Sequence, residues 1–122
     1  MTIQVLQEKL TVCKVKDYSL TNLANPFTFT GKTDNENSLV CPTSLTPENT
    51  TVVDNGWVAL RVKGSMEFAL IGILSKISTI LANNGISIFA ISTFDTDYIL
   101  LKEDKKEAAL QCLAENDYII ER

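Results

Sequence analysis

Between residues 57 and 121 the hydrophobic pattern switches from strand-like to helix-like and back, twice, and this constrains the fold more than any other feature. Residues 57–63 alternate, with Val58, Leu60 and Val62 on one face and Trp57, Ala59, Arg61 and Lys63 on the other, which predicts a strand. Gly64-Ser65 breaks the alternation. Leu70, Ile73, Leu74, Ile77 and Leu81 then recur at helical spacing, with Lys76, Thr79 and Asn83 opposite them, and Asn83-Asn84-Gly85 supplies a left-handed stop. Residues 86–92 form a β-rich run whose two faces are both apolar, residues 98–101 a further strand, and Tyr118 to Ile120 the last. Between them Asp104 and Glu107 resemble a capping box, opening a second helix that carries Ala109, Leu110 and Leu113 inward. The order β-α-β-β-α-β is the ferredoxin-like split βαβ motif of the α+β class. In that topology the strand at 86–92 lies at a sheet edge. An apolar edge must be covered; the strand-rich first half of the chain and the equivalent strand of a second copy are both expected to take part, and a homodimer is the economical reading.

Residues 1–54 are of a different kind. Short strands at 3–6, 10–15, 26–30 and 38–41 are separated by turn-rich stretches such as Thr33-Asp34-Asn35-Glu36-Asn37, with no helical periodicity longer than a turn. Asp54-Asn55-Gly56 is a strong turn signal, so the expected boundary separates a mostly β half, 1–54, from the βαββαβ unit, 55–122.

Composition removes whole classes of function. The chain has no His, which excludes Ser-His and Cys-His pairs, a histidine base and His-ligated zinc. A net charge of -4 is the wrong sign for binding nucleic acid or an anionic membrane. Cys13, Cys41 and Cys112 are odd in number and lack Cys-x-x-Cys spacing, so they read as small buried hydrophobes in a reducing, cytoplasmic setting. The longest apolar run, 68–74, is seven residues and includes a glycine, too short for a membrane span, and no signal peptide is expected.

The segment Gly56-Trp57-Val58-Ala59-Leu60-Arg61-Val62, a helix, and then Gly85-Ile86-Ser87-Ile88-Phe89-Ala90-Ile91-Ser92-Thr93-Phe94-Asp95-Thr96-Asp97-Tyr98-Ile99-Leu100 resemble bacterial ACT domain-containing proteins. Val5-Leu6, Val12-Cys13 and Ser38-Leu39-Val40-Cys41-Pro42 resemble the degenerate ACT-like half that precedes the ACT domain in small two-part members, which are related to the tandem-ACT arginine sensors of eukaryotes. The resemblance implies a non-catalytic regulatory fold that binds a small ligand, usually an amino acid, where two ACT units meet. It implies no cofactor, and the regulated protein partner is left open.

An α-amino acid needs donors for its carboxylate, acceptors for its ammonium and a pocket for its side chain. The start of the first helix, around Phe68 to Gly72 and Ile73, offers backbone N–H groups, and the family motif places ligand contacts there. Gly72 either admits a ligand or lets the helix pack closely on the sheet. Ser92, Thr93, Phe94, Asp95 and Asp97 gather hydroxyls and carboxylates at a strand end, with Asp97 the ammonium acceptor and Asp95 either a ligand contact or a turn former. Without His, and with only Glu67 as a possible third acid, no metal site is expected. Phe68, Leu70, Ile71 and Phe94 would make an apolar pocket suited to a neutral side chain, or are core residues. Two alternatives remain. One is an interaction module with a decayed site. The other, an acylphosphatase-like enzyme, is disfavoured because Arg61 lies within a strand and is not followed by a glycine-rich anion loop.

Overall fold

The computed structural model describes residues 1–63 and 72–122. In chain order the elements are β1 (Thr2–Val5), β2 (Leu10–Val15), β3 (Phe29–Lys32), β4 (Asn37–Pro42), β5 (Thr50–Lys63), α1 (Ile73–Asn83), β6 (Phe89–Ser92), β7 (Asp97–Lys102), α2 (Lys106–Glu115) and β8 (Ile119–Glu121). Short 3-10 turns at Thr43–Leu45 and Glu103–Lys105 follow β4 and β7. The chain divides into two compact units, Met1–Gln7 with Val58–Arg122, and Glu8–Trp57.

The larger unit has the expected α+β architecture, with an addition. Its strands run β6-β7-β5-β1-β8, and β1 pairs antiparallel with β5 and parallel with β8. The expected division at residue 54 put this first strand in the other half. Instead Ile3 and Val5 point into the same core as Val58, Leu60, Val62, Ile99 and Leu101, and α1 and α2 cover that face through Ile77, Leu81, Ala109, Leu110 and Leu113. Burying the apolar face of β1 here outweighs its proximity in sequence to the other strands.

α1 stops as its sequence predicts. Ile86 N–H donates to Leu81 O and Gly85 N–H to Ala82 O, with Gly85 at φ +71°, a Schellman ending. α2 ends in the same two bonds, Tyr118 to Leu113 and Asp117 to Ala114, but a non-glycine residue, Asp117, takes the left-handed position at φ 71°. The expected Asp104–Glu107 capping box does not form. The chain enters α2 through the 3-10 turn without a side-chain cap, and both Glu107 oxygens accept from Arg122, at 2.6 and 3.0 Å.

The smaller unit is an antiparallel sheet in the order β3-β4-β2-β5, and its single helical element is the turn Thr43–Leu45. Cys13 and Cys41 are buried with Val15 and Leu39, as small hydrophobes should be. The turn signal Asp54-Asn55-Gly56 does not reverse the chain. β5 runs straight through it as a bulge: Leu10 faces Trp57 and Val12 faces Asp54, so Thr11 alone opposes Asn55 and Gly56. Gly56 supplies the bulge's left-handed φ of +84°, and the buried Thr11 hydroxyl, 2.9 Å from Thr43 Oγ1, donates to Asn55 Oδ1 at 2.8 Å.

The two units share a 60-residue repeat. Adding 60 to the bounds of β3, β4 and the first 3-10 turn gives those of β6, β7 and the second. The hairpin registers, Lys32 opposite Asn37 and Ser92 opposite Asp97, match as well. So do the turns: Thr33 N–H donates to Glu36 O and Thr93 N–H to Thr96 O, both at 2.9 Å. The smaller unit's strand order, β3-β4-β2-β5, corresponds to β6-β7-β5-β8 of the larger, with β1 inserted between the last two.

Candidate functional site

The β6–β7 hairpin carries Ser92, Thr93, Phe94, Asp95 and Asp97, but it divides them between the two faces of the sheet and the turn. Ser92 and Asp97 face each other across the last strand pair. Asp97 shares the helix-covered face with Ile99 and Leu101 by strand alternation, and its half-buried carboxylate has no hydrogen bond or ion pair among the described residues. The turn is fastened by Thr93, whose Oγ1 donates to Thr96 O at 2.9 Å and accepts from Thr96 N–H at 3.3 Å. Thr93 therefore does the turn-forming work considered for Asp95. Thr96, a third hydroxyl of the same stretch, donates from Oγ1 to Val62 O at 2.6 Å and ties the turn to the end of β5. Phe94 is 82% exposed.

The other half of the expected site is only partly described. Phe68, Leu70 and Ile71, with Glu67, lie outside the described residues. α1 is described from Ile73, and Gly72 is its N-cap at φ 79°, its carbonyl accepting Lys76 N–H at 2.8 Å. A Cβ built on Gly72 would meet nothing within 4 Å, so the glycine serves its left-handed backbone and not close packing among the described residues. Ile73 packs against the core. Among the described residues no hydrogen bond joins Gly72 or Ile73 to the hairpin, and no three acidic or Cys side chains converge as a metal would require.

Sequence reasoning set Arg61 aside, yet it anchors a cleft of about 480 Å³ on the opposite face of the sheet, walled by Gln4, Val62, Lys63, Asp95, Thr96 and Tyr98. Its Nε and Nη2 donate to Gln4 Oε1 at 3.0 and 2.8 Å. Nη1 donates to Tyr98 Oη at 3.3 Å, and the guanidinium carbon lies 5.8 Å from the Tyr98 ring centre. Asp95 thus faces this cleft, while Asp97 belongs to the helix side. The available signal was that Arg61 interrupts the otherwise apolar run from Trp57 to Val62.

The ACT domain family profile matches residues 52–115, and the chain belongs to that family. Among solved structures, protein Atu0741 from Agobacterium tumefaciens is similar over 98% of this chain and 90% of its own, at 28% identity and a TM-score of 0.84. Protein VC0802 from Vibrio cholerae, described as of unknown function and a possible transport protein, covers 93% of this chain and 88% of its own at 20% identity and a TM-score of 0.73. The ligand-free regulatory subunit of aspartate kinase from Thermus thermophilus covers 94% and 96%, at 8% identity and a TM-score of 0.67. The last two share the fold. No helix among the described residues is long and apolar enough to cross a membrane.

Proposed function

We propose that the protein is a non-catalytic, cytoplasmic regulator that binds a small ligand, a neutral amino acid, where the ACT units of two copies meet in a homodimer. The observation that carries this reading is Asp97, a half-buried carboxylate without a protein partner among the described residues, at a hairpin end opposite Ser92. Such a group gains from an incoming ammonium more than a solvated acid would. The ligand carboxylate would be met by backbone N–H groups at the start of α1, where Gly72 turns the chain. Dimerisation is supported by β6, which pairs with β7 alone among the described residues and offers its other edge to a second copy. Leu70 and Ile71 in the helix-start segment favour a neutral side chain over a basic one.

The exposure of Phe94 favours a second reading, an interaction module whose ligand site has decayed. A thermal-shift screen with the twenty amino acids, run beside sedimentation, tests the choice. Stabilisation by a neutral amino acid in a dimeric protein supports the regulator. A dimer indifferent to all twenty supports the module, and a monomer at micromolar concentration removes the proposed interface.

A further inference from the structure

The 60-residue repeat places one residue pair in equivalent positions with opposite chemistry. In the smaller unit the pair beside the turn is Lys32 and Asn37, and Lys32 Nζ donates to Asn37 Oδ1 at 3.1 Å. Asn37 is aimed for this. Its Nδ2 donates to Lys16 O at 3.0 Å, which turns Oδ1 towards the ammonium. In the larger unit the same pair is Ser92 and Asp97. The lysine has become a side chain too short to reach across, and the neutral acceptor has become a carboxylate. The turns and the strands that follow them match: β4 and β7 have identical burial patterns, and Thr33 and Thr93 accept the equivalent amide, from Glu36 at 3.1 Å and Thr96 at 3.3 Å.

We propose that Lys32 is a built-in stand-in for a ligand's ammonium. It fills in the smaller unit the position that, among the described residues, Ser92 leaves open beside Asp97, so each chain takes one ammonium-bearing ligand, at its larger unit. The proposal rests on the ligand-binding reading above and deepens it, because it assigns the group recognised at Asp97 from a contact already made elsewhere in the chain. An ammonium accepted by a neutral amide carbonyl is held by one charge-assisted bond, whereas a carboxylate adds the attraction of full charges. The position at Asp97 is thus the stronger of the two for a primary ammonium.

The test is to install the stand-in where the ligand would go. Ser92→Lys places an ammonium opposite Asp97 on a strand pair of the same register, and Ser92→Met gives similar reach without charge. Calorimetric titration with each neutral L-amino acid that shifts the wild-type melting curve is expected to give one site per chain and an affinity at least tenfold weaker in Ser92→Lys than in Ser92→Met, which shares the reach and any loss of the hydroxyl. Ser92→Cys alkylated in the folded state with 2-bromoethylamine creates the same ammonium without refolding, and alkylation with iodoacetamide is its neutral control. The three native cysteines are buried and shielded from both reagents. Unchanged affinity in both ammonium variants, equal losses in the neutral controls, or two sites per chain would overturn the proposal while the ligand-binding reading stands. Failure of every neutral amino acid to shift the wild type overturns that reading and the proposal with it.

Discussion

Arg61 donates through both Nε and Nη2 to a single acceptor, Oε1 of Gln4, from the position directly opposite it on the neighbouring antiparallel strand. The arrangement holds a guanidinium on the sheet face away from the helices, and it uses β1 to do so. Replacing Gln4 with Met keeps the length and removes the acceptor. Hydrogen bonds to charged groups contribute about 1.5–3 kcal/mol, and partial exposure puts this one near the lower end. Gln4→Met is therefore expected to lower stability in urea by about 1.5 kcal/mol. An unchanged midpoint would mean that water replaces Gln4 without loss.

Asp97→Asn keeps the shape of the hairpin end and removes its charge. Affinity for whichever amino acid stabilises the wild type should fall by about 1.5–3 kcal/mol, while the melting temperature without ligand changes little. If the variant instead melts early and its folded fraction binds normally, Asp97 serves the fold alone.

The bulge at Gly56 separates conformational strain from crowding. Among the described residues beyond its chain neighbours no atom lies within 4 Å of a Cβ built there, yet φ is +84°. Gly56→Ala should therefore cost about 1–2 kcal/mol from backbone conformation alone, read as a lower denaturant midpoint with an unchanged slope.

Asp117 gives the converse case. It occupies the left-handed position that Gly85 holds at the end of α1, and it is exposed. Asp117→Gly should raise stability by roughly 0.5–1 kcal/mol, since the left-handed penalty removed exceeds the added entropy of the unfolded chain. A loss of stability would show that the Asp side chain stabilises the turn by more than the strain costs.

Burial, with Cys41 beside it, pushes the Cys13 thiol from about 9 up to about 11. Because the folded value is the higher, the contribution is complete below pH 9 and is lost as pH rises towards 11, by up to about 1.4 kcal/mol per pH unit. Denaturation followed across that window should show stability falling, with a shallower fall in Cys13→Val. Burial also raises the Cys41 thiol, so some slope should remain.

How far the sequence could be read depended on range. Elements defined by their own periodicity were legible, including α1 through Ile77 and Leu81, α2 through Leu110 and Leu113, the β6–β7 hairpin, and the absence of a long helix before residue 54. The destination of β1 was not, because its pairing with β8 joins Thr2 to Ile119, and no local pattern records a contact at that separation. Asn55-Gly56 was misread because a left-handed glycine serves a bulge as well as a turn, and only the opposing Thr11 distinguishes them. Of the site, the hairpin residues were recognisable by type, but their division of labour was not. Thr93 and Thr96 hold the turn through bonds that follow from register. The 60-residue repeat was hidden because it preserves geometry more than identity, with Phe29 and Phe89, and Thr33 and Thr93, among the few residues in common.

The insertion of β1 between β5 and β8 also sets an order of events during synthesis. Thr2–Val5 leave the ribosome long before the partners that cover their two edges, and β8 follows every other described element. Until then a short apolar strand waits, and closing the sheet requires a loop of more than a hundred residues, the kind of late, distant contact that slows folding. The Glu8–Trp57 unit contains all its own sheet partners and can form while the rest is still being translated. The unit carrying the candidate site would mature after it.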